Sequence, residues 1–334
     1  MVFHLRWSAT FAVVFGLAAC PGGDGDETAG TDTGASDDTN ITTPTGDFDP
    51  NPAYRGVLSG TVLGPSLHAL DAGNIARARS DAECCQDYAA GSHDDSMLRI
   101  VFGAANVGLT LFSDRADEVH NVGAGIDDLK IGDLNGDDRN DIIALRNDGN
   151  VAVLLGIDSP PPAGPFLDEL TQFSATAGNA VGARSLALGD LDCDGLTDVV
   201  VVAPTSDSVN LLRNDNAGGF IAPVAFYMGV GSAPQEVVVG DFDEDGDDDV
   251  ASSNSDGTMA VRLNMCSGNF DTSTSYTVFL NLPSTAGMTI ATGRICRGAD
   301  TAASLALVVG FRDKVRVICG DGTGDFSLMG EEPI

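Results

Sequence analysis

Asp133-Leu-Asn-Gly-Asp-Asp-Arg-Asn-Asp141, Asp190-Leu-Asp-Cys-Asp-Gly-Leu-Thr-Asp198 and Asp241-Phe-Asp-Glu-Asp-Gly-Asp-Asp-Asp249 align without gaps. Each follows a short alternating apolar run: Leu129 to Ile131, Leu186 to Leu188 and Val237 to Val239. Each precedes a second run: Ile142 to Leu145, Val199 to Ala203 and the weaker Val250-Ala251. A third run follows at Val151 to Leu155, Val209 to Leu212 and Met259 to Leu263, and turn residues leading to a Phe come after the last two. Runs this short, broken by Gly, Asn and Asp, read as strands rather than helices.

The leading positions Asp133, Asp190 and Asp241 are separated by 57 and 51 residues, and a degenerate copy at Arg294 follows 53 residues later. That copy continues with strands at Leu305 to Val309 and Val315 to Ile318, then Gly320 to Gly324 and Phe326. An earlier copy is expected too. Val107-Gly-Leu-Thr-Leu111 reads as its third strand, and an insertion around Ala82 to Asp95 stretches its first hairpin. Four strands per repeat of about fifty residues is the pattern of propeller blades. The predicted fold is all-β: a propeller of about five four-stranded blades over residues 53–334. A six- or seven-bladed or incomplete ring is the alternative, and a strand near Gly56 to Leu63 is expected to help close the ring. A β-sandwich would have no reason to repeat its loop chemistry at a fixed period.

Composition narrows the partners. The chain of 334 residues carries 49 acidic against 17 basic residues, a net charge of −32, with Lys130 and Lys314 its only lysines. Nucleic acid and anionic headgroups would be repelled by such a surface. Residues 1–19 read as an export signal, with His4 and Arg6 before an apolar run from Phe11 to Ala19. Leu17-Ala18-Ala19-Cys20 resembles the lipobox of bacterial lipoproteins, which implies acylation at Cys20 and a lipid anchor in the cell envelope. An ordinary signal peptide cut near the same alanines is the other reading. Residues 20–52 are rich in Gly, Thr, Asp and Pro. Positions 21–52 hold eight acidic residues and no Lys or Arg, so an extended tether is expected.

In the three loops, positions 1, 3, 5 and 9 carry carboxylates or Asn. Alternate side chains in a tight turn converge, and calcium wants six to eight oxygens. The pattern resembles the cation loop of FG-GAP/VCBS propeller repeats such as those of integrin α-chains. Flanking helices and the Glu at position 12 of an EF-hand are missing. The resemblance implies about three calcium ions. Site one would use Asp133, Asn135, Asp137, the Arg139 carbonyl and Asp141. Site two would use Asp190, Asp192, Asp194, the Leu196 carbonyl and Asp198. Site three would use Asp241, Asp243, Asp245, the Asp247 carbonyl and Asp249. Asp138 stands where the family has Gly at position 6, which weakens site one. Arg294, Cys296 and Gly298 replace the first three ligands in the last repeat, so that blade should hold no metal.

Apart from Cys20 there are six cysteines: Cys84, Cys85, Cys193, Cys266, Cys296 and Cys319. Blade topology puts all six on the face of the cation loops, where at least two disulfides are expected; free buried thiols are the alternative. Catalytic signals are thin. His68, His93 and His120 are isolated in sequence, and no HExxH, GxSxG or Walker A motif occurs. The sole tryptophan, Trp7, lies in the signal, which weakens a carbohydrate-binding reading. The expected function is a non-enzymatic, calcium-binding ligand or adhesion module at the cell surface, with an extracellular protein or glycan as partner. A calcium-dependent polysaccharide lyase or hydrolase and a structural envelope spacer are the alternatives.

Overall fold

A computed structural model of the chain describes residues 67–73, 75, 87–101, 118–157, 171–174, 182–216, 219–229, 231–266, 275–279, 288–297, 303–311, 314–320 and 326–333. Among these residues twenty strands form five four-stranded antiparallel sheets, each a meander of consecutive strands. Blade one comprises β1 (Leu67–Gly73), β2 (Asp87–Ser92), β3 (Asp95–Val101) and β4 (Glu118–Asn121). Blade two comprises β5 (Ile126–Gly132), β6 (Asp141–Arg146), β7 (Asn150–Leu154) and β8 (Thr171–Ser174). Blade three has β9 (Leu186–Gly189), β10 (Asp198–Ala203), β11 (Ser208–Leu212) and β12 (Val224–Tyr227). Blade four has β13 (Pro234–Gly240), β14 (Asp249–Asn254), β15 (Thr258–Arg262) and β16 (Ser275–Phe279). Blade five has β17 (Met288–Arg297), β18 (Ala303–Phe311), β19 (Lys314–Gly320) and β20 (Phe326–Pro333).

First strands lie beside first strands: β1 against β5, β5 against β9, β9 against β13 and β13 against β17. That arrangement makes them the inner wall of a propeller. No comparable packing joins β17 to β1 among the described residues, and the closing strand expected near Gly56 to Leu63 lies outside them. The expected export signal, Cys20 and the expected tether also lie outside. Among the described residues no helix is long and apolar enough to cross a membrane.

The core sits between blades rather than within one. Ile126, Leu129 and Ile142 of blade two pack with Leu98 and Ile100 of blade one. Ile143 and Leu145 pack with Val199 and Val201, Val200 and Val202 with Val250 and Ala260, and Val261 and Met259 with Leu307 and Ile318. The second strands β6, β10 and β14 are buried along their whole length. Strand β14 reads weakly in the sequence because four of its six residues, Asp249, Ser252, Ser253 and Asn254, are polar. Ser252 donates to Asn254, whose amide donates to Thr258 Oγ1, so part of that polarity is satisfied internally.

A glycine ends the inner strand just before each aspartate loop. A Cβ on Gly132 would stand 2.8 Å from Leu188 Cδ1, one on Gly189 2.4 Å from Val239 Cγ1, and one on Gly240 2.7 Å from Leu305 Cδ2. Each glycine lets the next blade's apolar side chain lie over the strand. Side chains stitch the same seam. Leu186 N donates to Asp128, Val237 N to Ser185 and Ile290 N to Glu236, one blade to the next each time.

Blade one departs from the sequence expectation. Its third strand is β3, Asp95–Val101, paired with β2 and β4. Val107 to Leu111, read as that strand from its likeness to Val151 to Leu155, lies outside the described residues. The range read as an insertion, Ala82 to Asp95, instead includes β2 and the first residue of β3. Strand β2 carries no apolar run in the sequence, because Ala89, Ala90, Gly91 and Ser92 are small and only Tyr88 is large. Gly91 sits beneath Ile126, whose side chain a Cβ would meet at 2.7 Å.

Candidate metal centre

Each aspartate loop leaves the inner strand after the seam glycine and re-enters the sheet at the second strand. Three hydrogen bonds recur and set its shape. The position-1 carboxylate accepts the position-6 N–H: Asp138 to Asp133 at 2.9 Å, Gly195 to Asp190 at 2.9 Å, Gly246 to Asp241 at 3.2 Å. The position-5 carboxylate accepts the position-7 N–H at 2.9 Å in all three, from Arg139, Leu196 and Asp247. The position-9 carboxylate accepts the position-2 N–H, from Leu134, Leu191 and Phe242.

The position-9 residues Asp141, Asp198 and Asp249 are wholly buried. Their other oxygens accept N–H groups from just beyond the third strand, Gly156, Asn214 and Asn264, at 2.7, 2.8 and 2.7 Å. These carboxylates thus tie three strands of a blade together, and each oxygen keeps a further lone pair for a cation. Burial pushes Asp141 and Asp198 up to about 6 and Asp249 up to about 7, against the pull of the two backbone bonds. Asn214 and Asn264 reach further. Their amides donate to Leu134 O and Leu191 O in the preceding blade's loop.

Two residues per loop take the left-handed conformation, at positions 4 and 6: Gly136 and Asp138, Cys193 and Gly195, Glu244 and Gly246. Asp138, read as the replacement for the family glycine, lies at φ 65°. Position 4 was not foreseen. Only Gly136 relieves the strain there, so loop one has exchanged the glycine from position 6 to position 4.

The loops differ as ligand sets. Asp190, Asp192 and Asp194 place one carboxylate oxygen each within 4.8 Å of one another, as do Asp241, Asp243 and Asp249. Asp192 Oδ1 and Asp241 Oδ1 are buried and accept no hydrogen bond. A buried carboxylate oxygen without a partner is costly, and a cation would satisfy it. Burial and the neighbouring Asp194 raise the Asp192 pKa; burial and Asp245 do the same to Asp243. Loops two and three therefore fit a hard divalent cation. Loop one differs, because Arg139 Nη1 forms an ion pair with Asp137 Oδ2 at 3.0 Å, which puts a positive charge where a cation would need that oxygen. In the last repeat, β17 runs on through position 294 to Arg297 instead of turning out of the sheet. An open cleft of about 420 Å³ lies between loops one and two, lined by Gly132, Asp133, Gly189, Asp190 and Asp248 among others.

Cys193 and Cys266 form a disulfide that crosses from loop two to the end of the third strand of blade four. Asp247 Oδ1 lies 2.7 Å from Cys266 Sγ and 3.5 Å from Cys193 Sγ. Oxidised sulfurs carry no proton to donate and are not thiolate ligands, so this trio is no metal site while the bond is intact. Cys319, at the matching end of β19, is disulfide-bonded as well, and its partner's side chain lies outside the described residues. Cys84 and Cys85 lie outside them too. His68 and His93, isolated in sequence, come together: their rings are 5.4 Å apart.

Antiparallel four-stranded blades set side by side around inner strands, with one aspartate loop recurring at one face, define a repeat-built β-propeller. Residues 133–201 and 190–252 match the FG-GAP-like repeat family. No curated protein sequence matches the chain. Among solved structures, BBS1N, crystallised in complex with ARL6DN, is similar at 11% identity and a TM-score of 0.51, over 82% of this chain and 70% of that one. An Agrocybe aegerita lectin that recognises non-reducing terminal N-acetylglucosamine is similar at 16% identity and a TM-score of 0.49, over 77% of this chain and 65% of that one. At 11% identity the likeness to BBS1N is one of fold.

Proposed function

We propose that this chain is a non-enzymatic binding module, loaded with calcium and tethered to the cell envelope through Cys20. The observation that carries the reading is the pair of buried, unpartnered carboxylate oxygens, Asp192 Oδ1 and Asp241 Oδ1, within clusters of aspartates on FG-GAP-like loops. Oxygen-only ligand sets select a hard cation, and loops of this size suit calcium better than magnesium, which holds its waters. The ions brace the blades rather than act on a substrate. Ligand contact then falls to the opposite face, made by the second hairpin loops at Arg146 to Asn150, Ala203 to Ser208, Ser253 to Thr258 and Phe311 to Lys314.

Calorimetric titration of calcium into chelator-treated protein tests the metal. Two tight sites and a weaker third are expected, with Asp190→Ala and Asp241→Ala each deleting one tight site. Full binding retained in both variants would refute it. Mass analysis of the exported protein tests the tether, since an unmodified Cys20 contradicts a lipid anchor.

A further inference from the structure

We infer a second metal site, for an imidazole-seeking transition-metal ion, on the face opposite the aspartate loops. It lies at the start of the inner strands of blades one and two and is built from His68, His93 and Asp127.

His68 stands near the start of β1, His93 in the turn after β2, and Asp127 near the start of β5. The imidazole rings of His68 and His93 are 5.4 Å apart and tilted by 41°. Two imidazoles bound to one ion through nitrogens at about 2.0–2.1 Å place their ring centres about 5–5.5 Å apart at tetrahedral angles. The pair already has that separation.

His93 is held from several sides. Its carbonyl accepts the Asn147 side-chain amide at 3.1 Å. Its backbone is seated so closely on Gly125 that a Cβ there would lie 1.8 Å from the His93 oxygen. Its Nδ1 meets Asp127 Oδ1 at 2.5 Å. The Asp127 side chain is only 10% exposed, whereas that of His93 is 47% exposed. A buried carboxylate on Nδ1 keeps the proton on that nitrogen and leaves the Nε2 lone pair as the ligand. This is the carboxylate–histidine arrangement that orients histidine on metals. Two imidazoles and no thiolate suit zinc, copper(II) or nickel rather than calcium. With two protein ligands, the ion keeps open positions for water or an external donor.

The site can be tested on the full chain, purified without a histidine tag and held in excess calcium so that the aspartate loops are occupied. Zinc is titrated by calorimetry, and copper(II) is followed by electron paramagnetic resonance. One zinc site is expected. His68→Ala and His93→Ala should each weaken it at least about tenfold, and Asp127→Asn by about tenfold through loss of orientation. His120→Ala, on the outer strand β4 and beside Glu118, should change nothing. The copper spectrum should show two nitrogen donors in the parent and one in each single histidine variant. Zinc binding unaltered in the His68 and His93 variants overturns the proposal. So does a two-nitrogen signal surviving either change, or no zinc uptake by the parent. Should His93→Ala fail to fold, the exposed His68 gives the decisive variant.

Discussion

At the scale of single residues, aspartates a few positions apart do different work, and their substitutions should differ in sign. Asp198 is wholly buried and accepts N–H groups from Leu191 and Asn214. Asp198→Ala would orphan both donors, at a cost of about 2–4 kcal/mol in chelator, and more in calcium because a ligand of loop two is lost as well. Asp192 instead carries a buried oxygen with no partner. Asp192→Asn should leave the chelated protein unharmed or slightly more stable, yet lower its stability in calcium. Urea denaturation in both buffers reads the two effects, and equal losses for Asp192→Asn in each would contradict them. The position-9 aspartates also predict a pH dependence. Burial lifts Asp141 and Asp198 to about 6 and Asp249 to about 7, whereas in the unfolded chain they ionise near 4. Between those values the folded, cation-free protein binds more protons than the unfolded chain. Their contribution to stability is therefore complete below about pH 4 and lost as pH rises through 6 to 7. In chelator, the denaturation midpoint should fall from about pH 4.5 to about pH 7.5. Saturating calcium should abolish that fall by holding the carboxylates ionised. A chelated protein that gains stability over the same range would overturn the assignment.

At the scale of elements, the blade seams decide rigidity. The disulfide between Cys193 and Cys266 spans a sequence separation of 73 residues and joins blades three and four on the loop face. Closing a loop of that length constrains the unfolded chain by up to about 4 kcal/mol. The double variant Cys193→Ser, Cys266→Ser should lose about 2–4 kcal/mol and unfold faster; a loss below half a kilocalorie in denaturant titrations would show that the seam holds without it. Blades two to four were legible in the sequence because apolar runs and a nine-residue loop recur in one frame. Blade one was not. In its β2, Ala89, Ala90 and Gly91 are small and Gly91 fits under Ile126, so burial leaves no strong apolar run there. The glycine before each loop was visible as Gly132, Gly189 and Gly240, but its purpose lies in the neighbouring blade. The same holds for His93 and Asp127, 34 residues apart and joined only when two blades meet.

At the scale of the whole molecule, the chain has concentrated its acidity where folding brings like charges together. With 49 acidic residues against 17 basic ones, repulsion opposes the compact state, and the aspartate loops are its densest points. Calcium should therefore act as a component of the fold. Extracellular calcium modules bind with constants of roughly 10⁻⁴–10⁻³ M. At about 1 mM calcium and a constant of about 10⁻⁴ M, each occupied site contributes about 1.4 kcal/mol. Loops two and three together then add about 3 kcal/mol, and the Arg139-paired loop one adds less. For a domain of this size that is a shift in melting temperature of about 5 °C. Chelation should lower the midpoint by that amount, calcium should restore it, and equimolar magnesium should restore it only in part. Arg139→Ala should enlarge the calcium response by freeing Asp137, whereas Asp190→Ala and Asp241→Ala should each remove roughly half of it. The only tryptophan, Trp7, lies outside the described residues, so calorimetry or circular dichroism is the suitable readout. A midpoint that chelator leaves unmoved would mean that the loops are held by their backbone hydrogen bonds alone.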